Sequence, residues 1–135
     1  MAKFAFGAPP KTITRTVSFK TLDGVSQSIA VVFRYRNREE LAALNEESAA
    51  IVKCPDDRMV ADKDGNLTDG RTVTEIVEAV LKANTLFLMK ALESWELSDA
   101  LNEANVRRLC NEYPSACAAI TEAYSNACRD GKLGN

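Results

Sequence analysis

The chain has 135 residues, of which 46% are hydrophobic and 27% charged, with a formal net charge of −2 and no histidine. That length suits one domain burying about two thirds of its unfolded surface, and the composition excludes general disorder and a fibrous class. With balanced charge and no face on which Lys and Arg cluster among aromatics, a nucleic-acid partner is not expected.

Residues 1–10 end in Pro9-Pro10, which bars a helix and biases the preceding residues to extended conformations, so they read as a flexible N-terminal arm. Their apolar stretch is too short for a signal peptide. The greasiest segment, Ala83 to Leu92, is broken by Asn84, Thr85 and Lys90, so no membrane partner is expected either. From Thr12 to Phe19 and again from Val25 to Arg36 the residues alternate, with Ile13, Val17 and Phe19, then Val25, Ile29, Val31, Phe33 and Tyr35, on one face. Thr21-Leu22-Asp23-Gly24 between them reads as the turn of an antiparallel hairpin.

Asn37 with Glu40 three residues on forms a capping box, and Leu41, Leu44, Ser48 and Ile51 recur at helical spacing, which predicts a helix over 38–52. Cys54 to Gly70 is polar and aperiodic, a loop holding at most short structure. Thr72 and Glu75 make a second capping box and launch the longest helix, from Val73 to about Trp95. Its stripe of Val73, Ile76, Val77, Val80, Phe87, Leu88, Ala91, Leu92 and Trp95 is broad, and Leu81, Leu86 and Met89 make the opposite face apolar too. Such a helix must be buried centrally or shared with a partner. Asn102 begins a third helix carrying Val106, Leu109, Cys110 and Tyr113. Pro114 then takes the first position of a fourth, with Cys117, Ile120, Tyr124 and Ala127 on one face. The fold class is therefore α+β and mostly α-helical, an N-terminal antiparallel β-hairpin followed by about four helices. A single domain over 11–130 is expected, with 131–135 as a C-terminal tail.

The inventory of reactive groups offers no chemistry. Asp62-Lys63-Asp64-Gly65-Asn66 opens like a calcium loop, but the position that needs Gly holds Leu67 and the one that needs a bidentate Glu holds Val73. Cys54, Cys110, Cys117 and Cys128 form no C-x-x-C pair, and the last three read as reduced, small apolar residues on helix faces. General acid-base work lacks its usual imidazole, and no phosphate-cradling glycine loop occurs, so neither an enzyme nor a cofactor, metal or catalytic site is expected. Trp95, Tyr113 and Tyr124 are the aromatics suited to anchor a partner, with core packing an equal alternative for each.

The segment from Trp95 to Asn135, WELSDALNEANVRRLCNEYPSACAAITEAYSNACRDGKLGN, joins a Trp, a short acidic stretch, an Asn/Glu-led helix, a Tyr-Pro step and a final helix with an Ala-Tyr pair. In that order and total length it resembles the C-terminal region of tail assembly chaperones of long-tailed bacteriophages. The resemblance implies a protein of the infected or lysogenic bacterial cytoplasm, absent from the mature virion. It implies self-association into a homo-oligomer, binding of the tape-measure protein to keep it soluble, and recruitment of tail-tube subunits. The alternative class is a small structural virion component, a tail-completion or head-tail joining protein.

The resemblance further implies a longer product made by a −1 ribosomal frameshift near the end of the frame. A slippery heptamer read as Gly then Lys or Asn has the form G GGA AAN and needs a preceding codon ending in G. Gly131-Lys132 fails, because both Asp130 codons end in a pyrimidine. Gly134-Asn135 succeeds if the Leu133 codon ends in G. The expectation is a Leu133 codon ending in G and an open −1 frame beyond Asn135; the nucleotide sequence decides it, and any other third base removes the site.

Overall fold

Residues 4–130 are described by a computed structural model of the chain. Two nine-residue strands, β1 (Thr12–Lys20) and β2 (Ser26–Arg34), pair antiparallel in an unbroken register from Thr12↔Arg34 to Lys20↔Ser26. The turn is closed by Gly24 N–H to Thr21 O and Thr21 N–H to Val25 O, each 2.9 Å, with Gly24 at φ 81°, a conformation that a Cβ would strain. The pairing puts Val17 opposite Ile29 and Ile13 opposite Phe33, so one face of the ribbon is apolar as the alternation requires. Ile29, Val31 and Phe33 are buried on it. Val25 belongs to the turn instead and is exposed.

α1 (Arg38–Val52) carries the expected capping box, Glu40 N–H to Asn37 Oδ1 at 2.9 Å and Asn37 N–H to Glu40 Oε1 at 3.0 Å. The polar stretch that follows holds a short 3₁₀ turn and a small antiparallel hairpin, β3 (Met59–Ala61) with β4 (Leu67–Asp69). It is fastened to its surroundings. Arg58 pairs with Glu75, Arg71 pairs with Asp69 at 2.7 Å and donates to Val52 O at 2.9 Å. Gly70 lies so near that a Cβ would stand 2.5 Å from Arg58 O and 2.9 Å from a Val60 methyl. α2 (Val73–Ala91) begins at the Thr72 box, α3 (Glu103–Glu112) at Asn102, and α4 (Pro114–Arg129) at Pro114, each start matching its sequence signal. Half of the described residues are helical and 22% are strand, an α+β fold.

The end of α2 departs from the expected helix to Trp95. The helix stops at Ala91, and Leu92–Trp95 form a fifth strand, β5, antiparallel to β2 on its free side, giving the sheet order β1-β2-β5. A stripe of Leu88, Ala91, Leu92 and Trp95 fits helical spacing, but continuing the helix would leave the second edge of β2 unpaired over the core. The extended form satisfies it. Glu96 then completes the ladder twice: its N–H donates to Ala30 O at 3.0 Å and its carboxylate accepts from Ala30 N–H at 2.7 Å.

The inner sheet face packs on α4 and the C-terminal half of α2. Phe33, Leu88, Leu92, Val106, Ile120 and Tyr124 are wholly or almost wholly buried there. On α2 the core stripe of Phe87, Leu88 and Ala91 continues N-terminally as Val80, Val77 and Val73, which emerge from the core at 36, 49 and 78% exposure. This face of the helix is thus buried at one end and exposed at the other. At the N-terminus, Phe4 and Phe6 are exposed and touch only edge to face, ring centres 6.5 Å apart. The tail assigned to 131–135, with Gly134-Asn135, lies outside the described residues.

Tyr124 joins three elements. Its ring lies 5.1 Å from that of Phe33 and 5.8 Å from that of Phe87, while its hydroxyl donates to Arg34 O at 2.8 Å and accepts from the Arg36 guanidinium at 2.9 Å. Burial pushes the phenol up to about 12. An unfolded tyrosine ionises near 10, so between about 10 and 12 the folded state holds a proton that the unfolded state has lost, and stability falls as pH rises through that window. Tyr124→Phe should lower stability by about 1–3 kcal/mol through the unmet Arg34 carbonyl. Urea unfolding from pH 8 to 11.5 checks both: the variant starts lower and loses less as pH rises.

Candidate binding groove

Beyond the sheet, the chain turns from β5 into α3 through residues 96–102, and this turn borders a surface concavity. It is lined by Phe19, Gln27 and Ile29 of the hairpin, by Trp95, Leu97 and Asp99 of β5 and the turn, and by Asn105, Arg108, Leu109 and Glu112 of α3 with Tyr113, around a volume of about 500 Å³. Its apolar walls are held by specific bonds. The Trp95 indole N–H donates to Asp99 O at 2.8 Å, fixing the ring against the turn, and Asn105 donates to Ala100 O at 2.8 Å while its own N–H is capped by Asn102 Oδ1 at 2.9 Å. Ser115 Oγ donates to Lys20 O at 2.7 Å, tying the first turn of α4 to the hairpin and setting Tyr113 at the rim.

The groove presents two exposed apolar side chains, Leu97 at 39% and Tyr113 at 42%. Arg108 and Glu112, paired at 2.7 Å one helical turn apart, give the α3 rim charges of both signs. A shallower depression beside the hairpin tip shares Thr21, Gln27 and Tyr113 with the groove and adds the exposed Leu22 and Val25. Exposed apolar side chains therefore occur from the tip of the hairpin to the β5–α3 turn, interspersed with Thr21, Asp23 and Gln27. Of the three aromatics singled out from the sequence, Trp95 and Tyr113 meet in this groove, Trp95 half-buried and Tyr113 at its edge. Tyr124 sits apart from them in the core and is fully buried. In the sequence Phe19 reads only as part of the hairpin's apolar face and Leu22 only as a turn residue, and nothing singles out Leu97. The only signal for Leu97 was a lone leucine in a polar turn two residues after Trp95.

The acidic turn at Asp62 is occupied by its own backbone: the Asp62 carboxylate accepts from Asp64 and Asn66 N–H, both 2.9 Å, and Gly65 takes φ 83°. Among the described residues no three His, Cys, Asp or Glu side chains converge as a metal site. No described helix is long and apolar enough to cross a membrane.

A family model described as phage tail assembly chaperone matches residues 1–135, the whole chain. The chain belongs to the phage tail assembly chaperones. No curated protein and no solved structure matches it. The chaperone thus carries the family likeness not only over Trp95–Asn135 but also through its hairpin, its β3–β4 excursion and α2.

Because Leu97 and Tyr113 are about two-fifths exposed, alanine at either should change the chaperone's stability by no more than about 1 kcal/mol. Trp95→Ala, removing a half-buried ring and its hydrogen bond, should cost about 2 kcal/mol, less than for a fully buried tryptophan. Chemical denaturation of the three variants measures both; equal losses at all three positions would contradict this division.

Proposed function

We propose that this chaperone holds an apolar helical segment of the tape-measure protein in the groove lined by Trp95, Leu97 and Tyr113, keeps that long helical chain soluble, and promotes assembly of tail-tube subunits around it. The observation that supports the reading is the groove itself: the exposed Leu97 and Tyr113 beside the half-buried Trp95, a mixed-charge α3 rim, and the exposed Leu22 and Val25 of the neighbouring depression. Helix-in-groove recognition needs such a combination, with i, i+3, i+4 apolar anchors entering the trough and rim charges setting register. Covering apolar faces in this way removes the surface through which free tape-measure chains would aggregate. Binding suffices for this task, and no catalytic step is required. The setting is the host cytoplasm during tail assembly, and the chaperone leaves before the virion is complete.

Self-association belongs to the same reading. Val73, Val77 and Val80 continue a core stripe into solvent, and a second copy laid along them would cover apolar area that the monomer leaves bare. A monomer of this length has a radius of gyration of roughly 14 Å. Small-angle scattering at tens of micromolar should give a larger value that Val77→Asp returns to the monomer figure. A concentration-independent monomer in the unsubstituted protein would sink the self-association.

For client binding, the chaperone is co-expressed with the tape-measure protein and captured by an affinity tag on the latter. Tyr113→Asp and Leu97→Asp should abolish co-purification while leaving the melting curve close to that of the parent. Full capture by both variants overturns the groove assignment. Mass spectrometry of purified particles distinguishes a departing chaperone from a retained virion component.

A further inference from the structure

Where α3 ends and α4 begins, Cys110 and Cys117 face each other across the Tyr113-Pro114 corner. The Cys110 thiol donates to Cys117 Sγ at 3.0 Å, about 1 Å longer than a covalent S–S bond. Both side chains are 4% exposed, and both border a surface cavity of about 360 Å³ that also touches Asn84, Pro114 and Thr121. The cysteine pair is therefore buried but borders this cavity.

We propose that Cys110 and Cys117 form a thiol–disulfide modification site, closed into an intramolecular disulfide by a low-molecular-mass disulfide that enters this cavity. The inference rests on the sulfur geometry and is independent of the client-binding reading. Its chemistry balances as two exchanges. The Cys117 thiolate attacks one sulfur of the small disulfide, the small S–S bond breaks, and one small thiolate departs. Cys110, as thiolate, then attacks Cys117 Sγ in the resulting mixed disulfide, forming the protein S–S bond and expelling the second small thiolate. The two protons lost by the protein end on the two released thiols, and the small disulfide is the species reduced. The order of attack follows the hydrogen bond. Donation from Cys110 favours the thiolate of Cys117 and holds it below the ordinary thiol range, while the same contact and burial push Cys110 up.

The new bond would close a short ring from Cys110 to Cys117 with Tyr113 and Pro114 inside it. Oxidation thus fastens α3 to α4 and fixes the corner that carries the groove's Tyr113. Cys54 and Cys128, each half-buried and elsewhere in the fold, serve as internal controls.

The native full-length protein is incubated with 2-hydroxyethyl disulfide, then alkylated under denaturing conditions and mapped by mass spectrometry. The expected result is one linked peptide pair joining Cys110 to Cys117, an intact mass lower by two hydrogens before alkylation, and alkylated Cys54 and Cys128. The melting temperature should rise by several degrees in the oxidised form and fall back on reduction. Cys110→Ser, which keeps a hydroxyl donor beside Cys117 Sγ, should halt at a mixed disulfide on Cys117. Full alkylation of Cys110 and Cys117 after treatment, or their linkage to Cys54, Cys128 or a second molecule instead, overturns the proposal. Mapping of the unsubstituted protein decides the matter even where a variant fails to fold.

Discussion

The packing of Tyr124 against the inner face of β2 is the contact on which the remaining architecture depends. One ring touches Phe33 of the sheet and Phe87 of α2, and one hydroxyl ties α4 to the Arg34 carbonyl and the Arg36 side chain. Arg36 in turn donates to Lys90 O at 2.7 Å, so the sheet exit, the last turn of α2 and α4 share a single polar knot at the edge of the apolar core. Such a knot is stabilising only when every member is satisfied, and here no buried side-chain nitrogen or oxygen among the described residues lacks a partner. With α4 anchored there, its N-terminal end reaches the hairpin, Ser115 meets Lys20, and Tyr113 is delivered to the groove.

Signals local to a few residues were legible in the sequence. Both capping boxes, the Asn102 cap and Pro114 mark helix starts because each fixes a specific hydrogen bond or dihedral within one turn. The two strands announced themselves through alternation, and the hairpin turn through Asp23-Gly24. What the sequence could not convey was the fate of Leu92–Trp95, whose conformation is chosen by the unpaired edge of β2 some sixty positions earlier. A helical stripe and a half-buried strand use the same Leu and Trp, and only the partner strand arbitrates. The same reason explains Tyr124: on a helical wheel it matches a partner anchor as well as a core residue, and the difference lies in Phe33 and Phe87, which meet it only after folding.

The groove illustrates a different limit. Trp95 and Tyr113 drew notice as large rings, yet the features that turn them into a trough are contributed by ordinary residues: Phe19 and Ile29 from the far hairpin, Leu97 from a polar turn, Leu109 from α3. The surface property is collective, so inspection of residue types finds its aromatic corners and misses its length. The buried thiols are comparable. Cys110 and Cys117 read as small apolar fillers, which their burial supports, but their mutual approach depends on the angle at which α3 meets α4.

α2 spans two environments in one rigid rod. Its C-terminal turns are held in the core by Phe87, Leu88 and Ala91, and its N-terminal turns, braced by Arg58 on Glu75, carry valines into water. A helix propagates order along its hydrogen-bond ladder, so covering the bare turns also stabilises the buried ones. Occupancy at the valine end is therefore thermodynamically linked to the integrity of the whole fold: any ligand that recognises only the folded rod adds RT ln(1 + [L]/Kd) to the unfolding free energy. If a second copy covers the valines as proposed, this linkage would make the unoccupied protein the more readily unfolded form, and so the form most exposed to proteolytic clearance.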